Sequence, residues 1–187
     1  MAITVKRIGF GQVEPNHLSA QRTAQIYAQL PANADIEILE NGQFVKYDYA
    51  NNEVNFTGAG EWMLVFNEVK LYDDAWRESY KDFAMQKDNY TPGDSFPHAG
   101  MPDLKGQMVP RVFKTNVGDI YTTNCIGGAN VSGKAEFAGI EVKVGDELSP
   151  NAEGFLDPAG DGSIVFQVVK EYTMPDGQPG VKVMRIK

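Results

Sequence analysis

"SIVFQVVKEYTMPDGQPGVKVMRIK", residues 163–187, carries two apolar runs on either side of a turn rich in proline and glycine. The first run has apolar side chains on both of its faces: Ile164, Phe166 and Val168 on one, Val165 and Val169 on the other. Apolar residues on both faces are typical of a strand in the interior of a sheet. The second run alternates, and Val181 and Val183 are predicted to enter the same core.

A short phrase, Val-Gly-Asp, occurs twice, at 117–119 and 144–146. Glycine accepts the backbone angles of a tight turn, and an aspartate side chain can accept hydrogen bonds from neighbouring backbone N–H groups. Both copies are therefore predicted to be turns between strands rather than parts of an acidic site. A further turn at Glu153-Gly154 makes residues 144–158 a predicted hairpin.

Residues 35–72 alternate between apolar and polar side chains, which predicts strands with one buried face. Asn41-Gly42 separates two of these runs, and Asn-Gly is a strong signal for a two-residue hairpin because both residues tolerate positive φ. The pattern predicts a meander of about four strands. Trp62 and Leu64 are expected in its core.

Two other segments are less regular. Residues 1–34 are predicted to form an N-terminal arm or a short helix. Residues 73–106 begin with Trp76, Tyr80 and Phe83 at helical spacing, which predicts one short helix. The rest of that segment is a long excursion rich in proline and glycine, which fits neither a central strand nor a helix.

From residue 107 to the end, short and evenly spaced strands are separated by turns rich in glycine and aspartate. The sequence therefore predicts a mainly β fold, a small β-barrel or sandwich of short antiparallel strands. One short helix and the Pro/Gly-rich excursion complete it. The sequence pattern is compatible with one core shared by the β-barrel-like region, 107–187, and the meander, 35–72, and also with two separate cores.

The composition of the chain argues against some classes of partner. The formal net charge is −8 and the pI is about 4.8, which argues against binding to nucleic acid or to an anionic membrane surface. A single cysteine, Cys125, rules out an internal disulfide. No apolar run is long enough to span a membrane, and no signal-like segment is recognised, so we expect folding in the cytosol.

Motifs that carry chemistry are not recognised in the sequence. Asp94, His98 and Asp103 form only a loose trio in a polar loop, and the sequence lacks the spacings typical of zinc sites. "DPAGDGS", 157–163, is better explained as a turn than as a calcium loop. Cys125 is expected to pack as a small apolar residue. We therefore predict no catalytic, cofactor-binding or metal-binding residues and no cofactor.

The order "VKVGDELSPNAEGFLDPAGDGSIVFQVVKEYTMPDGQPGVKVMRIK", 142–187, resembles the end of capsid decoration (cement) proteins of tailed bacteriophages. The shared features are a Gly-Asp turn, a short strand, a Gly-x-apolar strand and an alternating terminal strand. The resemblance implies a non-enzymatic virion protein that binds the outer surface of the shell and stabilises it. Its partner would be the major capsid protein or another virion protein, and a homo-oligomer is compatible with this role.

Aromatic residues outside the clearest strands are the predicted partner contacts: Tyr27, Trp76, Tyr80, Tyr90 and Phe96. Two alternatives to a decoration protein remain at this point. One is a head-fibre or tail-associated module that contacts host glycans through its aromatic residues. The other is a carbohydrate-active enzyme, which we regard as the weaker alternative because no pair of carboxylates stands out among the acidic residues.

Overall fold

The computed structural model describes residues 2–6, 11–19, 30–67, 84–86, 108–127, 139–175 and 177–187. These residues are mainly β, as predicted. The strands are β1 Ala2–Val5, β2 Val13–His17, β3 Ile38–Glu40, β4 Phe44–Asp48, β5 Glu53–Asn55, β6 Trp62–Val65, β7 Ala84–Gln86, β8 Val112–Phe113, β9 Ile120–Thr123, β10 Ile140–Lys143, β11 Glu147–Pro150, β12 Leu156–Asp157, β13 Phe166–Thr173 and β14 Pro179–Arg185.

The strands form two larger sheets and two strand pairs. The six-stranded sheet has the order β12-β11-β13-β14-β9-β2, and the four-stranded sheet has the order β5-β4-β6-β8. β1 pairs with β10, and β3 pairs with β7. Residues 163–187 supply the long hairpin β13–β14, whose register runs from Phe166 opposite Arg185 to Thr173 opposite Pro179. β13 lies between β11 and β14, so its predicted central position is confirmed.

A core cluster joins the two larger sheets. Phe44 of β4 and Phe166 of β13 are both fully buried, with ring centroids 5.5 Å apart. Trp62 and Leu64 of β6 enter the same cluster, as predicted for the core. Met63 and Val65, the alternate residues of β6, enter a second cluster on the other face of the strand. β6 is therefore buried on both faces, and the first cluster contains side chains from both β segments of the sequence.

The predicted meander is wrong in its pairing. Four strands lie within the described part of this segment, 35–67, but β4 is flanked by β5 and β6, and β3 pairs with β7 instead of β4. The turn at Asn41-Gly42 therefore does not close a hairpin. Gly42 has a φ of +94°, but Asn41 does not adopt positive φ. A type I′ hairpin requires positive φ at both residues. Positive φ at the second residue alone is the pattern of a type II turn, which splays the strands that flank it.

Three turns of this kind carry the chain from one sheet or pair into another, and we call them corner turns: 40–43, 116–119 and 143–146. In each, the third residue is a glycine with φ of +94°, +93° and +97°. The N–H of the fourth residue donates to the carbonyl oxygen of the first at 3.2, 2.9 and 3.1 Å. The side chain of the fourth residue accepts the N–H of the first at 3.0, 2.8 and 3.0 Å. The predicted turn chemistry of both Val-Gly-Asp phrases is confirmed.

Each corner turn docks on a strand through the same two backbone hydrogen bonds. The glycine N–H donates to the carbonyl oxygen of a strand residue, and the N–H of that residue donates to the carbonyl oxygen of the fourth turn residue. The receiving residues are Val65 on β6, Arg185 on β14 and Val168 on β13. Two turn residues thus oppose one strand residue, which is the geometry of a β-bulge with glycine at its first position.

The predicted helices fall largely outside the described residues. Of the segment 1–34, predicted to be an arm or a short helix, residues 2–5 and 13–17 form β1 and β2, whereas 20–29 lie outside the described residues. Of the segment 73–106, only Ala84–Gln86 is described, as the strand that pairs with β3. Trp76, Tyr80 and Phe83 and the Pro/Gly-rich excursion therefore stay predictions.

Candidate functional site

The residues predicted to contact a partner lie outside the described part of the chain: Tyr27, Trp76, Tyr80, Tyr90 and Phe96. The loose trio of Asp94, His98 and Asp103 lies outside it as well. The described ranges do contain four other groups with polar, charged or exposed aromatic side chains. These groups are the candidates for a functional site among the described residues.

Two buried carboxylates connect corner turns to the N-terminal segment. Oε2 of Glu40 accepts the Gly11 N–H at 2.5 Å. Oδ1 of Asp119 accepts the Ser19 N–H at 2.9 Å and the Ser19 hydroxyl, while its Oδ2 accepts the Asn116 N–H. Both carboxylates are almost fully buried. Because a buried polar group is costly unless it is hydrogen-bonded, these side chains fix the positions of the turns and of residues 11–19 together.

Cys125 lies against two glycines under the first corner turn. A Cβ added at Gly11 would lie 2.8 Å from the Cys125 sulfur, and one added at Gly42 would lie 2.6 Å from the Cys125 Cβ. The thiol is fully buried, so the prediction that it packs as a small apolar residue is confirmed.

Asp161 accepts hydrogen bonds from two directions. Its Oδ2 accepts the indole N–H of Trp62 at 2.6 Å and lies 3.9 Å from Nζ of Lys46. Its Oδ1 accepts the Ser163 hydroxyl at 2.7 Å and lies 3.2 Å from Oγ of Ser149. Nζ of Lys46 also lies 4.4 Å from the centroid of the Trp62 ring. The arrangement ties the loop 158–165 to the four-stranded sheet.

The hydrogen bonds to Asp161 favour its charged form. Partial burial raises the pKa of this carboxyl, but hydrogen bonds from Ser163, Trp62 and Ser149 outweigh it, so the pKa lies below the ordinary value of 3.8. A carboxyl whose pKa is lowered by folding contributes stability above its unfolded pKa and loses that contribution as the pH falls through its folded pKa.

We expect the free energy of unfolding of the wild type to exceed that of Asp161→Asn by a steady amount between about pH 5 and 7, and the difference to shrink below about pH 4. The reason is that protonation makes the wild-type side chain neutral, like the asparagine. Urea unfolding of both proteins across this pH range measures the difference. If the difference stayed constant down to the lowest pH at which both fold, the Asp161 charge would have no role in stability.

A second ion-pair group joins the residue before β6 and the residue after β8 to the end of β14. Oε1 of Glu61 lies 2.8 Å from Nη2 of Arg185, and its Oε2 lies 3.0 Å from Nζ of Lys114. Arg185 also donates to the carbonyl oxygen of Thr115 and, at 2.8 Å, to that of Lys187. Partial burial raises the pKa of Glu61, but the two cations outweigh this effect and hold the pKa below its ordinary value of 4.5.

The end of the β4–β5 hairpin, which we call the 47–55 tip, presents an exposed aromatic ring among acids and amides. The Tyr49 side chain is 66% exposed, and its ring stacks on that of buried Tyr47 with centroids 5.3 Å apart. Asp48 accepts hydrogen bonds from Asn51 and Asn55 at 2.9 and 3.4 Å. Residues two apart in a strand share one face, as Tyr47 and Tyr49 do, but this spacing does not indicate that only Tyr47 is covered.

Other exposed apolar side chains stand on two corner turns. Val117 is 68% exposed and Val144 is 53% exposed, and each occupies the second position of its turn. With Tyr49, these are the large apolar side chains of the described ranges that project furthest into solvent. Single exposed valines are common on protein surfaces, whereas a braced tyrosine beside charged groups is typical of binding surfaces.

Across the described ranges, no group of three or more His, Cys, Asp or Glu side chains is arranged to hold a metal ion. Within the same ranges there is also no helix with the length and hydropathy of a membrane span. Comparison of the chain with protein-family models, curated proteins and solved structures found no match.

Proposed function

We propose that the chain is a non-enzymatic structural protein of a tailed-phage virion, which decorates the outer surface of the shell and stabilises it. On this proposal a β body of the barrel or sandwich kind carries the contact surface, and the major capsid protein is the partner. The resemblance over about 140–187 supports the phage assignment. The shape and chemistry of the described residues support a structural role.

The observation that carries the structural role is the use of buried polar groups at the corner turns. Glu40 and Asp119 are almost fully buried, and each accepts backbone N–H groups from the N-terminal segment. Asp146 and Gln43 close their own turns by accepting the N–H of the first turn residue, as Asp119 also does. Polar side chains that could support chemistry thus hold the turns between the sheets in place. A protein that stabilises a shell by binding to it requires a rigid body of this kind.

Co-sedimentation with undecorated phage shells tests the proposal. We expect the purified chain to pellet with such shells at a fixed stoichiometry and to raise the temperature at which they disrupt, because binding to the intact shell alone stabilises it by mass action. Shells that already carry their decoration protein are the matched control and should bind little. If the chain neither pelleted with undecorated shells nor changed their heat stability, the proposed function would be wrong.

A further inference from the structure

The 47–55 tip, "YDYANNEVN", combines two tyrosines, three asparagines and two acids in nine residues. We propose that this tip is a docking surface for a protein partner that presents lysine or arginine beside a shallow apolar pocket. The inference rests on the proposed function for the partner's identity, the outer surface of the shell. The composition matches that of binding loops, in which tyrosine supplies contact area and asparagine supplies adaptable hydrogen bonds.

Tyr49 is the anchor of this surface. Tyr49 is two-thirds exposed, and its ring stacks on the ring of Tyr47 at an interplanar angle of 24°. Tyr47 is itself buried in the second core cluster, so the support behind Tyr49 is fixed. A ring that is already held in one orientation loses little conformational freedom on binding, which is why rigid tyrosines are frequent binding hot spots.

The acids at the tip are held in place by amides. Asp48 accepts the side-chain N–H of Asn51 and the backbone N–H groups of Ala50 and Asn51. Glu53 accepts the side-chain N–H groups of Asn33 and Asn55 at 2.7 and 3.2 Å. Within the described ranges neither carboxylate forms a salt bridge, so their charge is satisfied by neutral donors.

The negative charge of the tip favours a cationic partner. Hydrogen bonds from Asn51 lower the pKa of Asp48 below its ordinary value, so the tip is anionic at neutral pH. The whole chain carries a formal charge of −8, which adds to the field around the tip. A cationic protein surface complements this potential and is steered towards it, whereas an acidic surface is repelled.

Nuclear magnetic resonance titration of the full chain tests the tip directly, with a synthetic peptide rich in lysine and leucine as the probe. We expect the peptide to shift the amide signals of 47–55, and the shifts to weaken as salt is added because the charges are exposed. Tyr49→Ala should weaken binding by about tenfold or more. The double variant Asp48→Asn with Glu53→Gln should weaken it and remove most of its salt dependence.

Val144→Ala is the matched control, since it removes an exposed apolar side chain from a turn outside the tip. It should bind the peptide like the wild type. Unfolding midpoints of all variants, measured in parallel, separate lost contacts from lost folding. The inference is overturned if the peptide leaves 47–55 unperturbed, or if the control loses binding as strongly as Tyr49→Ala. It is equally overturned if oligosaccharides, and not the peptide, perturb the tip, because the surface would then bind glycans.

The same variants on undecorated shells separate this inference from the proposed function. Loss of shell binding in Tyr49→Ala, with Val144→Ala unaffected, supports both. If every tip variant still binds the shell, the proposed function is supported and the proposed docking surface at the 47–55 tip is refuted. Absence of shell binding by the wild type refutes the proposed function, and the peptide titration still decides whether the tip binds a basic protein surface.

Discussion

Replacing Gly154 by alanine is expected to lower the free energy of unfolding by about 4 kcal/mol. Gly154 has a φ of +80°, a region that disfavours residues with a Cβ. An added Cβ would overlap the carbonyl oxygen of Phe44 and lie 3.1 Å from Cε1 of the Phe56 ring. Phe44 cannot move easily, because its N–H donates to the Gly154 carbonyl oxygen at 2.7 Å and its ring packs on Phe166.

Gly145→Ala is the matched control for this prediction. Gly145 has a similar φ of +97°, but an added Cβ would meet nothing within 4 Å. Its cost is therefore the backbone conformation alone, about 1 to 2 kcal/mol. Urea unfolding of both variants measures the difference, which reports the overlap with Phe44. Equal losses in the two variants would contradict the close approach of the turn 151–154 to β4.

The contrast between these glycines indicates which parts of the fold the sequence could predict. Gly145 and Gly154 were both assigned to turns, and residues 144–158 do contain the predicted hairpin, with Asn151 closing its turn. Turn chemistry depends on a few neighbouring residues, so it can be read locally. The approach of Gly154 to a strand more than a hundred residues earlier depends on the tertiary fold and leaves no local signal.

At Asn41-Gly42 the prediction from the local sequence was wrong. The dipeptide was correctly placed in a turn, but the pairing of its flanking strands was wrong. The side chain of Gln43 accepts the Glu40 N–H, as aspartate does in the two Val-Gly-Asp turns. Because glutamine stands where the other two turns have aspartate, the sequence did not reveal 40–43 as a turn of the same kind. Strand pairing between β3 and β7 joins segments about 45 residues apart, and such contacts are not encoded in short patterns.

The candidate binding surface was the least predictable feature. Aromatic residues outside the strands were chosen as contacts, whereas the described exposed ring, Tyr49, directly follows a strand residue. Alternation in a strand puts residues two apart, such as Tyr47 and Tyr49, on one face. Whether a side chain on that face is covered depends on where neighbouring segments end, and the end of the β4–β5 hairpin leaves Tyr49 uncovered while Tyr47 is buried.

Replacing Arg185 by alanine is expected to lower the free energy of unfolding by about 3 to 4 kcal/mol. Its side chain is 10% exposed and binds the carboxylate of Glu61 and the carbonyl oxygens of Thr115 and Lys187. Truncation would leave these acceptors without their donor in a poorly solvated place, which costs more than the loss of an exposed ion pair. Thermal and urea unfolding at neutral pH measure the effect.

Lys114→Ala is the control, because Lys114 binds the same carboxylate from the surface. Its side chain is 36% exposed, and exposed ion pairs contribute about 0 to 1 kcal/mol. A large loss for Arg185→Ala with a small loss for Lys114→Ala would establish that the guanidinium holds the end of β14 to the segment before β9. Similar small losses in both variants would mean that the corner turn 116–119 is held by its backbone bonds to Arg185, which the alanine variant retains.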